Sequence, residues 1–90
     1  MATVLIPSQL RPDVGGSARL VVFGGTVGEV LGALARQHPA LGRKVLDERG
    51  EVRRHVVVFL EDEDIRALDG LATACPDRAE LSLVPALAGG

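Results

Sequence analysis

The hydrophobic and polar positions change period several times along the chain, and each change marks an element. Thr3-Val4-Leu5-Ile6 is a short β-branched and aliphatic run stopped by Pro7, which predicts a first strand. Arg11-Pro12-Asp13-Val14-Gly15-Gly16 is turn chemistry: proline fixes φ, aspartate bonds its own backbone and glycine permits positive φ. Ala18, Leu20 and Val22 then alternate with Arg19, Val21 and Phe23. That period of two predicts a second strand, paired with the first as a hairpin and ended by Gly24-Gly25.

The period next lengthens. Val27, Val30, Leu31 and Leu34 fall at i, i+3, i+4 and i+7, one stripe of an α-helix. Thr26 and Glu29 frame its start as a capping box, in which each side chain satisfies an amide the helix leaves without a partner. Pro39 disfavours helix at His38 and predicts the stop there. Gly28 and Gly32 each cost up to about 1 kcal/mol against alanine inside a helix, so close packing against another element, such as the sheet, is expected of both.

Leu41 to Gly50 is mixed and polar and predicts a helical turn and loop anchored by Val45 and Leu46. His55-Val56-Val57-Val58-Phe59-Leu60 is apolar on both faces and predicts a central strand covered on both sides. Glu61 to Asp64 reads as an acidic turn, Ile65 to Leu68 as a short edge strand, and Gly70 to Asp77 as loop or tight helical turn. Leu81, Leu83 and Leu87 mark a final strand running out into Ala88-Gly89-Gly90. Two strands, one crossover helix and further strands predict an α+β domain, a mixed sheet of four to five strands with one main helix across it.

Composition narrows the functions open to such a domain. Ninety residues make one small domain with little interior for a deep active site. A net charge of −2, from 10 basic and 12 acidic residues, argues against binding a nucleic-acid backbone. The longest apolar run, Val56 to Leu60, is far short of the ~20 residues of a membrane span. Met1-Ala2-Thr3 shows no export signal. Cys75 is the single cysteine, which fits a reducing cytoplasmic setting. A carrier, a subunit or a binding module is expected rather than a self-contained enzyme, monomeric when free.

The candidate chemistry lies at the C-terminus. Leu83-Val84-Pro85-Ala86-Leu87-Ala88-Gly89-Gly90 is small and apolar throughout, and Glu80 is the only charge in the last twelve residues. A frayed tail is usually polar; this one suits threading into another protein's channel. Glycines without Cβ let the backbone pass a constriction and leave the terminal carboxylate open to attack. Gly90 is therefore the expected reactive site, Gly89 gives access, and Leu83, Val84, Pro85, Ala86, Leu87 and Ala88 dock the tail.

Other features read as structure. Cys75 has apolar neighbours and Pro76 beside it, the setting of a small buried hydrophobe rather than a reactive thiol. His38 and His55, seventeen residues apart, lack metal-ligand spacing; His38 belongs at a helix C-terminus. Glu61 to Asp64 lacks the spaced ligands and glycine of a calcium loop and reads as a solvated turn or a negative docking patch. Gly15-Gly16 and Gly24-Gly25 lack the lysine of a phosphate-binding loop. Lys44 is the only lysine against nine arginines; codon bias explains that, and it also limits self-acylation by an activated C-terminus.

The element order, the capped helix and the Pro85-Ala86-Leu87-Ala88-Gly89-Gly90 ending together resemble the ThiS/MoaD sulfur carriers, which are ubiquitin-like β-grasp proteins. The resemblance covers essentially the whole chain. Ile6-Pro7, Leu10-Arg11-Pro12, Gly25-Thr26-Val27-Gly28, Glu63-Asp64-Ile65-Arg66 and Gly70-Leu71-Ala72-Thr73-Ala74 bring it nearest to the CysO-type carriers of actinobacterial cysteine biosynthesis. Cys75 departs from that pattern, standing where an aliphatic residue is usual. The resemblance implies a β-grasp domain over residues 1–84 and a flexible tail over 85–90. It also implies no bound cofactor and no catalytic residue of the domain's own. An E1-like activating enzyme uses MgATP to adenylate the Gly90 carboxylate, a sulfur nucleophile converts the adenylate to a thiocarboxylate, and a second, sulfur-accepting enzyme draws on it. The acceptor pathway stays open among cysteine, thiosugar, thiamine and molybdopterin types. A ubiquitin-like modifier forming isopeptide bonds through Gly90 is the alternative.

Overall fold

A computed structural model describes residues 1–85. It contains strands β1 (Ala2–Leu5), β2 (Arg19–Val22), β3 (Val56–Leu60), β4 (Glu63–Asp64) and β5 (Glu80–Pro85), with helices α1 (Val27–Gln37) and α2 (Pro39–Val45). Short 3-10 helices occupy Ser8–Val14, Ile65–Ala67 and Gly70–Ala72. The five strands form one sheet in the order β2-β1-β5-β3-β4. β1 pairs antiparallel with β2 and parallel with β5; β3 pairs antiparallel with β5 and β4.

α1 forms where the local signals place it. The Thr26 hydroxyl accepts from the Glu29 amide at 3.1 Å, and the Glu29 carboxylate reaches back to the Gly25 amide at 2.7 Å. Val27, Val30, Leu31 and Leu34 are all buried. They join Val4, Val22, Val58, Leu81 and Leu83 from the inner face of the sheet in one core. Each fully buried aliphatic side chain contributes about 1.5–3 kcal/mol relative to exposure.

Several expectations are corrected. α1 ends at Gln37 with His38 as its C-cap, where Pro39 predicts the stop; what differs is that Pro39 also opens a second helix, standing in the first turn of α2, where a missing N–H breaks no bond. α2 lies so close to α1 that a Cβ on Gly42 would sit 2.6 Å from the Ala35 Cβ; glycine is required there. A Cβ on Gly28 would sit 3.0 Å from the Leu71 carbonyl oxygen, so its close contact is with the 3-10 turn at Gly70–Ala72 and not with the sheet. Gly32 makes no such contact. Of the turn expected over 11–16, residues 11–14 are the end of the 3-10 helix Ser8–Val14, which buries Val14, and Gly15 and Gly16 turn the chain at positive φ as expected.

β3 is not the central strand; β5 is. Val57 and Phe59 are half-exposed on the outer side of β3, so its two-sided apolar character does not reflect cover on both faces. The edge strand is Glu63–Asp64, not Ile65 to Leu68. Glu61 takes a left-handed φ of 56° to turn the chain out of β3. The Asp64 carboxylate then accepts from the Arg66 amide at 2.9 Å and caps the 3-10 turn that buries Ile65.

Candidate functional site

The tail leaves the body from the middle of the sheet. β5 is held on one side by β1, with Val4 opposite Leu81, and on the other by β3, with Val56 opposite Pro85 and Val57 opposite Val84. β5 is paired on both sides at Leu81 and Ser82, while Leu83, Val84 and Pro85, the root of the tail, pair with β3. Gly89, Gly90, Ala86, Leu87 and Ala88 lie outside the described residues. Of the docking residues expected from the sequence, Leu83 is 3% exposed and belongs to the core. That is a correction with a simple cause: side chains alternate along β5, so Leu81 and Leu83 face α1 while Ser82 and Val84 face outward. Val84 is 40% exposed, and Pro85 is half-buried at the sheet's end.

Around Val84 the outer face of the sheet carries further apolar groups. Registers place Leu5, Val57, Phe59, Val21 and Val84 on the same face, with Thr3 and Ser82 between them. Val21 is 56% exposed, and Phe23, just past β2, is 71% exposed. Arg19 and Glu80, 3.8 Å apart, stand on this face as a charged border. An exposed apolar face of this kind is what a protein partner buries. Residue reading missed this surface, although the signal was present: Val21 and Phe23 stand on the polar side of the β2 alternation, and β3 is apolar on both faces.

The remaining candidates resolve as structural groups. Cys75 is 6% exposed, and burial pushes its thiol pKa up, away from the thiolate a sulfur nucleophile needs. Its amide donates to the Gly25 carbonyl at 3.0 Å, tying the loop after the 3-10 helix Gly70–Ala72 to the entry of α1. His38 lies between α1 and α2, its amide donating to the Leu34 carbonyl. His55 lies at the start of β3, and the structure does not bring the two histidines into a cluster: among the described residues no group of three or more His, Cys, Asp or Glu side chains could hold a metal ion. Lys44 pairs with Asp13 at 2.8 Å. Among the described residues no helix is long and apolar enough to cross a membrane.

Comparison with known proteins assigns the arrangement. The pattern of the ThiS family matches residues 4–90. The chain is 37% identical over 90 residues to the sulfur carrier protein CysO of Mycobacterium tuberculosis, covering 98% of this chain and 97% of that one. It is 40% identical over 90 residues to small archaeal modifier protein 1 of Haloferax volcanii, covering 100% and 91%. Its fold matches that of crystalline M. tuberculosis CysO with a TM-score of 0.88 at 34% identity, covering 97% and 100% of the two chains. It matches a chain of the Amycolatopsis orientalis BexX/CysO complex with a TM-score of 0.90 at 32% identity, covering both chains fully. A five-stranded mixed sheet packed on a capped helix, with these similarities spanning the whole chain, establishes that the protein belongs to the ThiS family of ubiquitin-like β-grasp sulfur carriers.

Proposed function

We propose that this chain carries sulfur as a thiocarboxylate on Gly90, acting as a co-substrate of separate enzymes rather than as a catalyst. The observation that carries this reading is the whole-chain similarity to sulfur carriers, joined to an apolar diglycine end that continues from the central strand. A carboxylate is a poor electrophile. An E1-like partner using MgATP remedies that: a Gly90 carboxylate oxygen attacks the α-phosphorus, pyrophosphate leaves, and an acyl-adenylate forms. Sulfide then attacks the acyl carbon, AMP leaves, and the C-terminal thiocarboxylate remains for a sulfur-accepting enzyme. The domain supplies a rigid root and a surface; Gly89 supplies access. Val84, Pro85, Ala86, Leu87 and Ala88 seat the tail on the partner, and the open sheet face around Val21 and Phe59 extends that contact. Similarity to a chain of the BexX/CysO complex supports a carrier that works docked on a partner. The setting is cytoplasmic, with the free carrier monomeric and with neither nucleic acid nor membrane among its partners.

Incubation with an adenylating enzyme, ATP and sulfide, followed by intact-mass measurement, tests this directly. The expected product has gained the mass of one oxygen replaced by one sulfur; an unchanged mass with an enzyme that consumes ATP contradicts it. The similarity to small archaeal modifier protein 1 favours a second reading, conjugation of Gly90 to lysines of other proteins. That reading predicts a ladder of higher-mass conjugates in cell lysates, lost on deletion of Gly90, whereas a single free band rejects it.

A further inference from the structure

Beside the root of the tail the surface opens into a cleft of about 450 Å³. Leu10, Val56 and Pro85 give it an apolar floor, and Arg43, Lys44 and Arg53 stand around it. Among the described residues no carboxylate lines it. Lys44 is paired with Asp13, and the Arg53 Nε donates to the Arg43 carbonyl at 2.6 Å. The Arg43 and Arg53 guanidinium groups have no salt-bridge partner among the described residues. Asp47, which feels the Arg53 charge, is committed to the amides of Arg49 and Glu51 at 2.9 and 3.0 Å.

This concentration of positive charge runs against the balance of the chain, whose net charge is −2. At the other end of β5 acids outnumber bases: Glu80 begins that strand, the Glu61 carboxylate accepts from its amide at 2.9 Å, and Glu61, Glu63 and Asp77 line that end together with Arg78. Asp47 and Glu48 share a neighbouring hollow with Arg43 and Arg53, so the cationic feature is the cleft itself, at the end of the strand that carries the tail. Complementary charge steers association and fixes its orientation, and guanidinium forks bind carboxylates in pairs of parallel hydrogen bonds.

We propose that this cleft seats a segment of the activating enzyme that presents an apolar side chain flanked by carboxylates, so that the tail enters the enzyme in one orientation. The inference rests on the reading that Gly90 is activated by a partner. The apolar side chain fills the floor against Val56 and Pro85, and the carboxylates pair with Arg43 and Arg53.

ATP–pyrophosphate exchange with the adenylating enzyme, measured against carrier concentration, tests it. Arg43→Glu is expected to raise the KM for the carrier about tenfold while leaving kcat within about twofold, the mark of lost docking rather than lost chemistry. Arg43→Lys keeps the charge without the fork and is expected to fall between. Arg78→Glu makes the same charge change at the other end of β5 and is expected to leave KM within about twofold. Arg53→Glu is a further arm, read beside its melting temperature because Arg53 also ties down the Arg43 carbonyl; Arg43→Glu leaves that bond in place. Loss of Gly90 activation would appear in the wild-type exchange itself, whereas an error about the cleft appears only in the variants. An unchanged KM for Arg43→Glu, or an equal rise for Arg78→Glu, overturns the proposal. So do nuclear Overhauser contacts between residues 87–90 and the Leu10 or Arg43 side chains in the free carrier, since the cleft would then belong to the chain's own tail.

Discussion

The two faces of the sheet are built from similar residues and do different work. The inner face, with Val4, Val22, Val58, Leu81 and Leu83, meets α1 and forms the core. The outer face, with Leu5, Val21, Val57, Phe59 and Val84, meets no helix, and its side chains are half-buried or exposed. Folding stability accounts for the inner set completely. It does not require the outer set, which a soluble antiparallel sheet would normally fill with polar residues. Apolar groups kept on the open side, reaching Val84 near the end of β5, are the groups that the proposed partner contact would cover.

The largest effect is expected on the inner face. Leu81→Ala removes a fully buried side chain from the central strand and is expected to cost about 3 kcal/mol. In a domain of this size that lowers the melting temperature by about 15 °C. The matching change on the outer face separates the two roles. Val84→Lys is expected to change stability by less than about 0.5 kcal/mol, yet to raise the KM of the activating enzyme for the carrier about tenfold with kcat retained. A loss of stability equal to that of Leu81→Ala would erase the distinction between the faces.

The smallest effect belongs to the border of the sheet, where the N-terminal ammonium pairs with Asp77. That hydrogen bond holds the Asp77 carboxyl below the usual aspartate range. A depressed folded value means the contribution is present above the unfolded pKa and is lost as the pH falls through the folded one. Free and N-terminally acetylated protein should therefore differ slightly in melting temperature at neutral pH, the free form being higher. The two should converge as the pH falls below the usual aspartate range and through the lowered folded value.

The same contrast explains what could be read from the sequence. α1 was legible to the residue at its start because the Thr26–Glu29 cap and the aliphatic stripe are local signals. So was the β1–β2 hairpin, whose alternation is plain. α2 was hidden because Pro39 reads equally as a stop and as a first-turn residue, and the deciding fact is the packing of Gly42 on Ala35. β4 has only two residues, and its pairing with β3 is set by the Glu61 turn rather than by any pattern of its own. The outer apolar face was visible in β3 and β2, but periodicity does not say whether an apolar side chain meets a helix of its own chain or a surface of another. The tail was legible as residue types alone, apolar and ending in diglycine, and its residues 86–90 lie outside the described ones.

The central claim is that sulfur rides on the C-terminal carbon and not on the buried thiol of Cys75. Intact mass of two variants after incubation with the adenylating enzyme, ATP and sulfide tests it most directly. Cys75→Ala is expected to lose about 1–2 kcal/mol of stability from the packing of its buried side chain and still to gain the oxygen-for-sulfur mass. Deletion of Gly90, which alters no residue of the core, is expected to melt as the wild type does and to gain nothing. A deletion variant that takes up sulfur while Cys75→Ala does not would contradict the account.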